Sequence, residues 1–334
     1  MKQKLRAIFA FVAAVVLVIA AVVYRTVETG RGGAQPSFVE NLSPGGEMAG
    51  PKGIQFDAAG DLYVGDENGI IWNMGHGGPA QPYAELWRLQ DGGGVPSAGG
   101  MAFDSQGNLY VACYGFAGGS VLRVDAGTRQ VRLLARNLGN AASVLITRDN
   151  SHLWVSDFRS RGRLLRLPLA APSSGGPDQV VEGLEYPNGM VFGKDEKTLY
   201  VSETYAGNVA AVDLAQSPPR QVQVINLKGA FAVGSLTGLE FDPRDRDRRL
   251  LYVVENIRGM FSVVDLDAQP ARVVKQFRVD LMGGRPCPAA MAIRDGYLYF
   301  TDVWSCNPLL ILLGIPKWHN HVYRFPIINL SAIY

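Results

Sequence analysis

The segment Thr198–Glu203 has the sequence TLYVSE, and five variants of it occur elsewhere in the chain: DLYVGD, NLYVAC, HLWVSD, LLYVVE and YLYFTD. Each variant contains a leucine, then an aromatic residue and a third apolar residue, and it ends in two further residues. The six leucines are Leu62, Leu109, Leu153, Leu199, Leu251 and Leu298. They recur about every 47 residues, and a regular spacing of this length indicates a repeat architecture.

Each repeat contains four apolar segments of strand length, separated by polar turns. In the second repeat these segments are GMAF, NLYVAC, GSVLRVD and VRLLARNL. No helical periodicity occurs between them, so each repeat predicts one antiparallel blade of four strands. Six repeats therefore predict an all-β fold, a six-bladed β-propeller.

The two ends of the repeat region predict how the ring closes. The sixth repeat has a third strand in NHVYRFPI but no clear fourth strand. Residues 34–43, AQPSFVENLS, resemble the fourth strands of other repeats and precede the first one. We expect this segment to complete the last blade, because closure removes the exposed edges that a linear sheet would leave. The propeller is therefore predicted to span residues 36–334.

The N-terminus predicts a membrane segment. The basic sequence MKQKLR precedes residues 7–24, which carry no charge, and such a run is just long enough to cross a bilayer as a helix. Residues 1–25 are predicted to be a retained anchor, the alternative being a cleaved signal peptide. Residues 26–35 are predicted to form a short flexible tether. The basic flank predicts a single-pass protein of the inner membrane with its propeller on the periplasmic, extracytoplasmic side.

Charge and motifs exclude several classes of function. The formal net charge of +2, with Lys and Arg nearly balanced by Asp and Glu, argues against a nucleic-acid partner. The sequence contains no nucleophile elbow, Walker loop or dinucleotide-binding fingerprint. A small-molecule ligand in the central channel is the partner that this composition and fold favour.

Five of the six second strands are predicted to end in a carboxylate, and the sixth ends in Cys113. The carboxylates are Asp66, Asp157, Glu203, Glu255 and Asp302. Because neighbouring strands are antiparallel, these ends share one face with the starts of the first strands. Such a ring could bind a cation or supply an acid–base group, and Glu203 and Glu255 are the candidate catalytic pair. The alternative is that the carboxylates bind backbone groups of adjacent loops.

The fourth repeat carries the most specific motif, Pro187-Asn188-Gly189 followed by MVFGKDEKTLYVSET. It resembles the senescence marker protein/gluconolactonase family and the strictosidine-synthase-like propellers. The resemblance implies a calcium ion at the end of the channel, held by a Glu, two Asn and an Asp at the entries to blades one, three, four and five. It also implies that the Asp acts as base in lactone hydrolysis.

The sequence keeps only one of these ligands, Asn188. The corresponding positions in blades one, three and five hold Lys52, Ala142 and Thr237. Calcium prefers six to eight oxygen ligands with carboxylate charge, so no metal site is predicted. The predicted residues for binding a ligand in the channel are Lys52, Asn188, Thr237, Asp157 and Asp302. For Asn188 a purely conformational role is the alternative, since Asn-Gly is a preferred turn pair.

Two functions remain open. The first is a lactone or ester hydrolase with a degenerate metal site. The second is a non-catalytic propeller that binds a small molecule or a membrane-protein partner.

Two further features bear on structure and partners. Cys287 and Cys306 flank the first two strands of blade six, so a disulfide between them is predicted outside the cytoplasm. The apolar segment 307–318, NPLLILLGIPKW, predicts either a plug over the channel or a surface for a membrane or membrane-protein partner. His319 and His321 are expected to lie at the surface, the alternative being that the two imidazoles, two residues apart on a strand, share a metal.

Overall fold

The computed structural model describes residues 38–89, 96–115, 117–169, 177–227, 236–279, 281, 286–303 and 320–327. These residues form six antiparallel sheets of four strands each. The part of the chain that is described contains no α-helix, only a 3₁₀ turn at Leu86–Arg88. The prediction of a six-bladed, all-β propeller is confirmed.

The strands follow one another within each blade from the inside of the ring to the outside. Blade one contains β2 (Gly53–Phe56), β3 (Leu62–Gly65), β4 (Ile70–Asn73) and β5 (Gln81–Glu85). Blade two contains β6 (Ser97–Phe103), β7 (Leu109–Tyr114), β8 (Ser120–Val124) and β9 (Val131–Ala135). Blade three contains β10 (Ala141–Ile146), β11 (His152–Asp157), β12 (Gly162–Pro168) and β13 (Asp178–Leu184).

The other three blades repeat this order, with one exception at the ring closure. Blade four contains β14 (Pro187–Phe192), β15 (Thr198–Glu203), β16 (Asn208–Asp213) and β17 (Arg220–Asn226). Blade five contains β18 (Leu236–Phe241), β19 (Leu250–Glu255), β20 (Met260–Asp265) and β21 (Arg272–Arg278). Blade six contains β22 (Pro288–Arg294), β23 (Tyr297–Asp302), β24 (His321–Pro326) and, as its outermost strand, β1 (Glu40–Asn41).

The ring is closed by the start of the described chain. Glu40 and Asn41 of β1 pair with Arg324 and Tyr323 of β24, and an ion pair of 2.7 Å between Arg324 and Glu40 reinforces the contact. The predicted closure of the last blade by the N-terminal segment is confirmed for these residues. In the described residues, β1 takes the place of the fourth strand in this blade.

The hydrophobic core consists of six clusters, one between each pair of neighbouring blades. In β15, Leu199 and Val201 pack toward blade three, whereas Tyr200 between them packs toward blade five. Successive side chains of a strand point to opposite faces, and both faces of a blade are covered by its neighbours. The second strands therefore need an uninterrupted apolar run, and this requirement produces the repeated Leu-Tyr-Val sequence.

The predicted membrane anchor, at residues 1–25, and the tether lie outside the described residues. Among the residues that are described, no helix has the length and hydrophobicity needed to cross a bilayer.

Candidate functional site

The first strand of every blade lies next to the axis of the ring. Strands β2, β6, β10, β14, β18 and β22 contact one another in sequence around the propeller, so they line the central channel. All six begin at one end of the channel, where the antiparallel second strands end. We call this end the channel mouth.

The strand register fixes which residue of each first strand lies at the mouth. In blade four, Pro187 pairs with Glu203, the last residue of β15, and Asn188 follows directly. Equivalent pairs precede the mouth positions of blades two, three, five and six. The six mouth positions are Lys52, Gly99, Ala142, Asn188, Thr237 and Ala289, which agrees with the alignment of the repeats.

The backbone of the polar mouth residues is held by hydroxyl groups of the preceding blades. The Oγ of Ser156 donates to the carbonyl of Asn188 at 2.7 Å. Ser202 and Thr301 make the same contact with Thr237 and Lys52, at 2.6 and 2.9 Å. In the other three blades, the position equivalent to Ser156, Ser202 and Thr301 holds Gly65, Ala112 or Val254, and the next blade then has no polar side chain at its mouth position. A hydroxyl at this position of the second strand is thus found only where the next blade has a polar mouth residue.

The polar side chains at the mouth make few contacts. Lys52 Nζ donates to Ser97 Oγ at 3.2 Å and lies 3.6 Å from a carboxylate oxygen of Glu67. Asn188 Nδ2 donates to the Thr204 hydroxyl at 3.3 Å. The buried hydroxyl of Thr237 has no hydrogen-bond partner among the described residues. The Lys52 ammonium and the Asn188 amide therefore keep further N–H groups for a ligand at this end of the channel, whereas the Thr237 hydroxyl is buried.

The carboxylates at the ends of the second strands serve mainly to bind backbone. Four of the five accept an N–H from the loop that enters their own blade: Asp66 from Ala49, Asp157 from Asn140, Glu203 from Glu185, and Asp302 from Cys287. These contacts agree with the alternative in which the carboxylates bind backbone groups of adjacent loops. Each contact fixes the loop that leads to a mouth position.

The two members of the predicted catalytic pair bind different groups: Glu203 binds loop backbone, whereas Glu255 binds side chains. Glu255 binds Arg258, Ser262 and Gln276, so its carboxylate points toward the outer strands of blade five and away from the channel. Glu203 is buried and accepts the Glu185 N–H at 2.8 Å. Burial raises the pKa of Glu203. The hydrogen bond of its carboxylate is made to the loop before β14. Neither hydrogen-bond network reaches a mouth residue, and a catalytic role for the two glutamates stays a prediction.

The other two carboxylates predicted to bind ligand are completely buried. Asp157 forms ion pairs with Arg159 and Arg163 at 2.7 and 3.0 Å, and these cations neutralise it. Asp302 accepts the Cys287 N–H through Oδ1 at 2.7 Å, and its Oδ2 has no hydrogen-bond partner in the described part of the chain. Burial raises the pKa of Asp302 to about 7.

Two polar side chains lie deeper in the channel, each three residues along its strand from the mouth position. They are Gln55 in β2 and Glu240 in β18. The Phe56 N–H donates to Gln55 Oε1 at 2.9 Å, and the Phe241 N–H donates to Glu240 Oε1 at 3.0 Å. An N–H of an innermost strand that is not bonded to the second strand faces the axis. Both side chains therefore lie on the channel side of their strands.

Glu240 has a raised pKa. Burial raises its pKa to about 7, against smaller opposite effects of the Phe241 N–H and the Arg248 guanidinium. A carboxyl group that titrates near neutral pH can both accept and return a proton. Blade six lies between blade five, which carries Glu240, and blade one, which carries Gln55. At the equivalent position of its first strand, blade six has the small residue Ala292.

Reasoning from the sequence missed Glu240 because it concentrated on strand ends. The signal was nevertheless present in the repeats. At this position of the first strand, four blades carry Ala102, Leu145, Val191 and Ala292. Gln55 and Glu240 are the polar exceptions, and a carboxylate at an otherwise apolar repeat position indicates a local function.

The residues at the mouth do not fit the calcium ion that the family resemblance implies. Lys52 places an ammonium group where a carboxylate would be needed, and Ala142 offers no ligand atom. The described residues contain no group of three or more His, Cys, Asp or Glu side chains that could hold a metal. Asn188 and Thr237 together supply two neutral oxygens, fewer than calcium requires.

The remaining sequence predictions are only partly covered by the structure. Cys113 is a buried free thiol and Cys287 is disulfide-bonded. Cys306, His319 and segment 307–318 lie outside the described residues, so the pairing of Cys287 with Cys306 stays a prediction. His321 contacts the Ser43 carbonyl through Nδ1 at 2.7 Å and helps to close the ring.

No protein-family model matches the sequence, and no curated protein does. Solved structures share its fold. The chain aligns with a gluconolactonase from Xanthomonas campestris at 16% identity and a TM-score of 0.61, over 87% of this chain and 89% of that one. It aligns with a luciferin-regenerating enzyme at 13% identity and a TM-score of 0.64, over 87% and 96%.

A third similar structure is the calcium-binding protein regucalcin from Agrobacterium tumefaciens, at 15% identity and a TM-score of 0.59, over 84% of this chain and 90% of that one. At such identities the alignments establish a common fold. The chain has the fold of the gluconolactonase-like six-bladed propellers, as its sequence resemblance predicted.

Proposed function

We propose that this protein is a lactone or ester hydrolase that works in the central channel without a divalent cation. The observation that carries the proposal is Glu240, a carboxyl group on the channel side of β18 with a pKa of about 7. Propellers of the same fold include a gluconolactonase, and this likeness favours the same class of substrate here.

The proposed reaction uses groups at two depths of the channel, the mouth positions and the position of Glu240 three residues deeper. The Glu240 carboxylate accepts a proton from a water molecule, whose oxygen attacks the carbonyl carbon of the substrate. Lys52 and Asn188 donate hydrogen bonds to the oxyanion that forms. When the intermediate collapses, the carbon–oxygen ester bond breaks and the leaving alkoxide takes the proton from Glu240. A lactone is thereby opened to a hydroxy acid, and the enzyme is regenerated.

The spacing of these two depths sets the size of the substrate. Thr237 and Glu240 are three residues apart on one strand, and because the register of β18 shifts between Leu236 and Leu239, the rise between them is less than the roughly 10 Å of a regular strand. Side chains extending from both depths shorten this gap. A single five- or six-membered ring with its carbonyl group would then reach both Glu240 and the donors at the mouth.

The test is a hydrolysis assay on purified protein with delta-valerolactone, gluconolactone and phenyl acetate, each with and without a chelator. Turnover that survives chelation and is lost in Glu240→Gln supports the proposal. Turnover that disappears on chelation, or persists in Glu240→Gln, contradicts it.

A second function is favoured by a specific observation. Half of the mouth positions, Gly99, Ala142 and Ala289, carry no polar side chain, and four of the carboxylates nearby bind loop backbone. These features suit a propeller that binds a small molecule without transforming it. Saturable binding of a lactone with no turnover under any condition would favour this function.

We also propose that residues 1–25 anchor the propeller to the inner membrane, facing the periplasm, with segment 307–318 as a contact for a membrane-protein partner. The support is the basic flank and the uncharged run of residues 7–24. Full-length protein should resist extraction of membranes with alkaline carbonate, whereas a variant lacking residues 1–25 should be released. Mature protein that begins after residue 25 would show that the segment is a signal peptide.

A further inference from the structure

Four aromatic side chains form a cluster on the mouth face of blades two, three and four. Phe158 contacts Tyr114, Tyr186 and Tyr205, with ring centroids 6.4, 5.3 and 5.9 Å away. Tyr186 and Tyr205 are in edge-to-face contact at 4.6 Å. We call this group the aromatic cluster.

The aromatic cluster remains accessible to a ligand. Tyr114 is 43% exposed and Tyr205 is 53% exposed. Edge-to-face packing leaves a face of the outer rings uncovered, and such faces gain free energy when another ring packs on them. Neither tyrosine has a cation over its ring in the described contacts.

The aromatic cluster adjoins the channel through the backbone. Tyr114 pairs with Ser97, two residues before the mouth position Gly99. The Phe158 N–H donates to the Asn140 carbonyl, two residues before Ala142. The cluster therefore stands beside the two mouth positions of blades two and three, where the side chain is absent or a single methyl group.

Tyr186 links the aromatic cluster to Asn188. It has a φ of +53°, a conformation that residues other than glycine rarely adopt. Its N–H donates to the Arg159 carbonyl at 2.9 Å, and its own carbonyl accepts the Thr204 N–H at 3.1 Å. These bonds hold the ring against Tyr205, two residues before the mouth position Asn188.

The opposite side of the channel is polar. Lys52 and Gln55 belong to blade one, and Thr237 and Glu240 belong to blade five. A ligand that spans the mouth would thus meet aromatic rings on one side and hydrogen-bonding groups on the other. Its chemistry should match both surfaces, with a flat apolar ring fused or joined to a carbonyl group.

We propose that the aromatic cluster is a subsite for the ring of the ligand, and that the protein selects aromatic lactones and aryl esters over aliphatic or sugar lactones. The hydrolytic part of this inference rests on the proposed function. The binding part does not, because ring packing on Tyr114 and Tyr205 requires no chemistry at Glu240.

The experiment uses two matched pairs of probes. Dihydrocoumarin and delta-valerolactone differ by a fused benzene ring, and so do their unreactive amide analogues, hydrocarbostyril and valerolactam. Calorimetry with the lactams measures binding, and kcat/KM for the lactones measures turnover. We expect hydrocarbostyril to bind more tightly than valerolactam, and Tyr205→Leu to weaken hydrocarbostyril binding about fivefold while leaving valerolactam unchanged.

Three variants separate the subsite from general effects. Tyr205→Phe keeps the ring and should keep the preference, which makes it the matched control for Tyr205→Leu. Trp87→Leu removes an exposed aromatic residue beyond the outer strand of blade one and should change nothing. Tyr114→Leu should reproduce the effect of Tyr205→Leu from the neighbouring blade.

The outcomes are distinct. Equal binding of the two lactams, or an aromatic preference that survives both leucine variants, would overturn the subsite. If hydrocarbostyril binding depends on Tyr205 but no lactone is hydrolysed, the subsite stands and the proposed hydrolase function fails. If both lactones are hydrolysed with an aromatic preference that Tyr205→Leu removes, both proposals are supported.

Discussion

The hydroxyl of Ser202 in blade four donates a hydrogen bond of 2.6 Å to the backbone carbonyl of Thr237 in blade five. Ser202 is completely buried, so this carbonyl is bound where water has little access. Ser156 and Thr301 make the equivalent contact with Asn188 and Lys52. The contacts join neighbouring blades at the channel, and they fix the backbone from which the polar mouth side chains extend.

Ser202→Ala should lower the free energy of unfolding by about 1–3 kcal/mol, because it removes the hydroxyl donor from a buried carbonyl. Urea denaturation at neutral pH measures the change. Ser105→Ala, in an exposed turn, is the control and should shift stability by less than about 0.5 kcal/mol. Equal stability of the two variants would show that the contact between blades contributes little.

Glu240 should give the hydrolysis a rising pH profile. Its pKa is raised to about 7 by burial, and only the deprotonated form accepts a proton from water, so kcat/KM should increase through neutral pH and level off above it. Glu240→Gln should reduce kcat/KM about 100- to 10,000-fold. The control, Glu182→Gln, changes an exposed glutamate and should have no effect. A profile unchanged in Glu240→Gln would assign the titration to another group.

Asp302 should make stability fall as the pH rises from about 4 to 7. Burial raises its pKa in the folded protein to about 7, so the folded state keeps a proton that the unfolded chain has released, and alkaline conditions favour unfolding. Asp302→Asn keeps an acceptor for the Cys287 N–H and removes the charge. Above pH 7 we expect this variant to be more stable than the parent by roughly 1–4 kcal/mol.

The comparison for Asp302 is made by urea denaturation across this pH range. Below about pH 4 the two proteins should have similar stability, because the aspartic acid is then neutral in both the folded and the unfolded state. A parent protein that is more stable than Asp302→Asn at alkaline pH would mean that the buried carboxylate is stabilised by an unrecognised cation.

Calcium should not stabilise the protein. Lys52 repels a divalent cation, and Asn188 and Thr237 supply too few oxygens. In thermal denaturation, millimolar calcium should shift the Tm no more than the same concentration of magnesium. The triple variant Lys52→Glu, Ala142→Asn, Thr237→Asp restores the ligand types of the resembling family and should gain a calcium-dependent Tm. A calcium shift in the parent that Asn188→Ala abolishes would contradict the prediction.

The sequence by itself determined the architecture of this protein. Each second strand is buried on both faces, so the Leu-Tyr-Val run must recur in every blade, and its spacing counts the blades. The unmatched strand at Glu40–Asn41 revealed the closure for the same reason, since a blade needs four strands wherever they lie in the chain. The repeat also located the mouth positions, including Lys52 and Asn188, because strand register carries over from one blade to the next.

Only the tertiary structure decided which polar side chains face the channel. A side chain at the end of a strand can turn to either side, and its direction depends on partners that are distant in sequence. Glu255 turns outward because Ser262 and Gln276 lie on outer strands. Glu240 faces the axis because the N–H beside it has no neighbouring strand. The aromatic cluster likewise brings together rings from three blades, and no local pattern in the sequence records which loops meet around a closed ring.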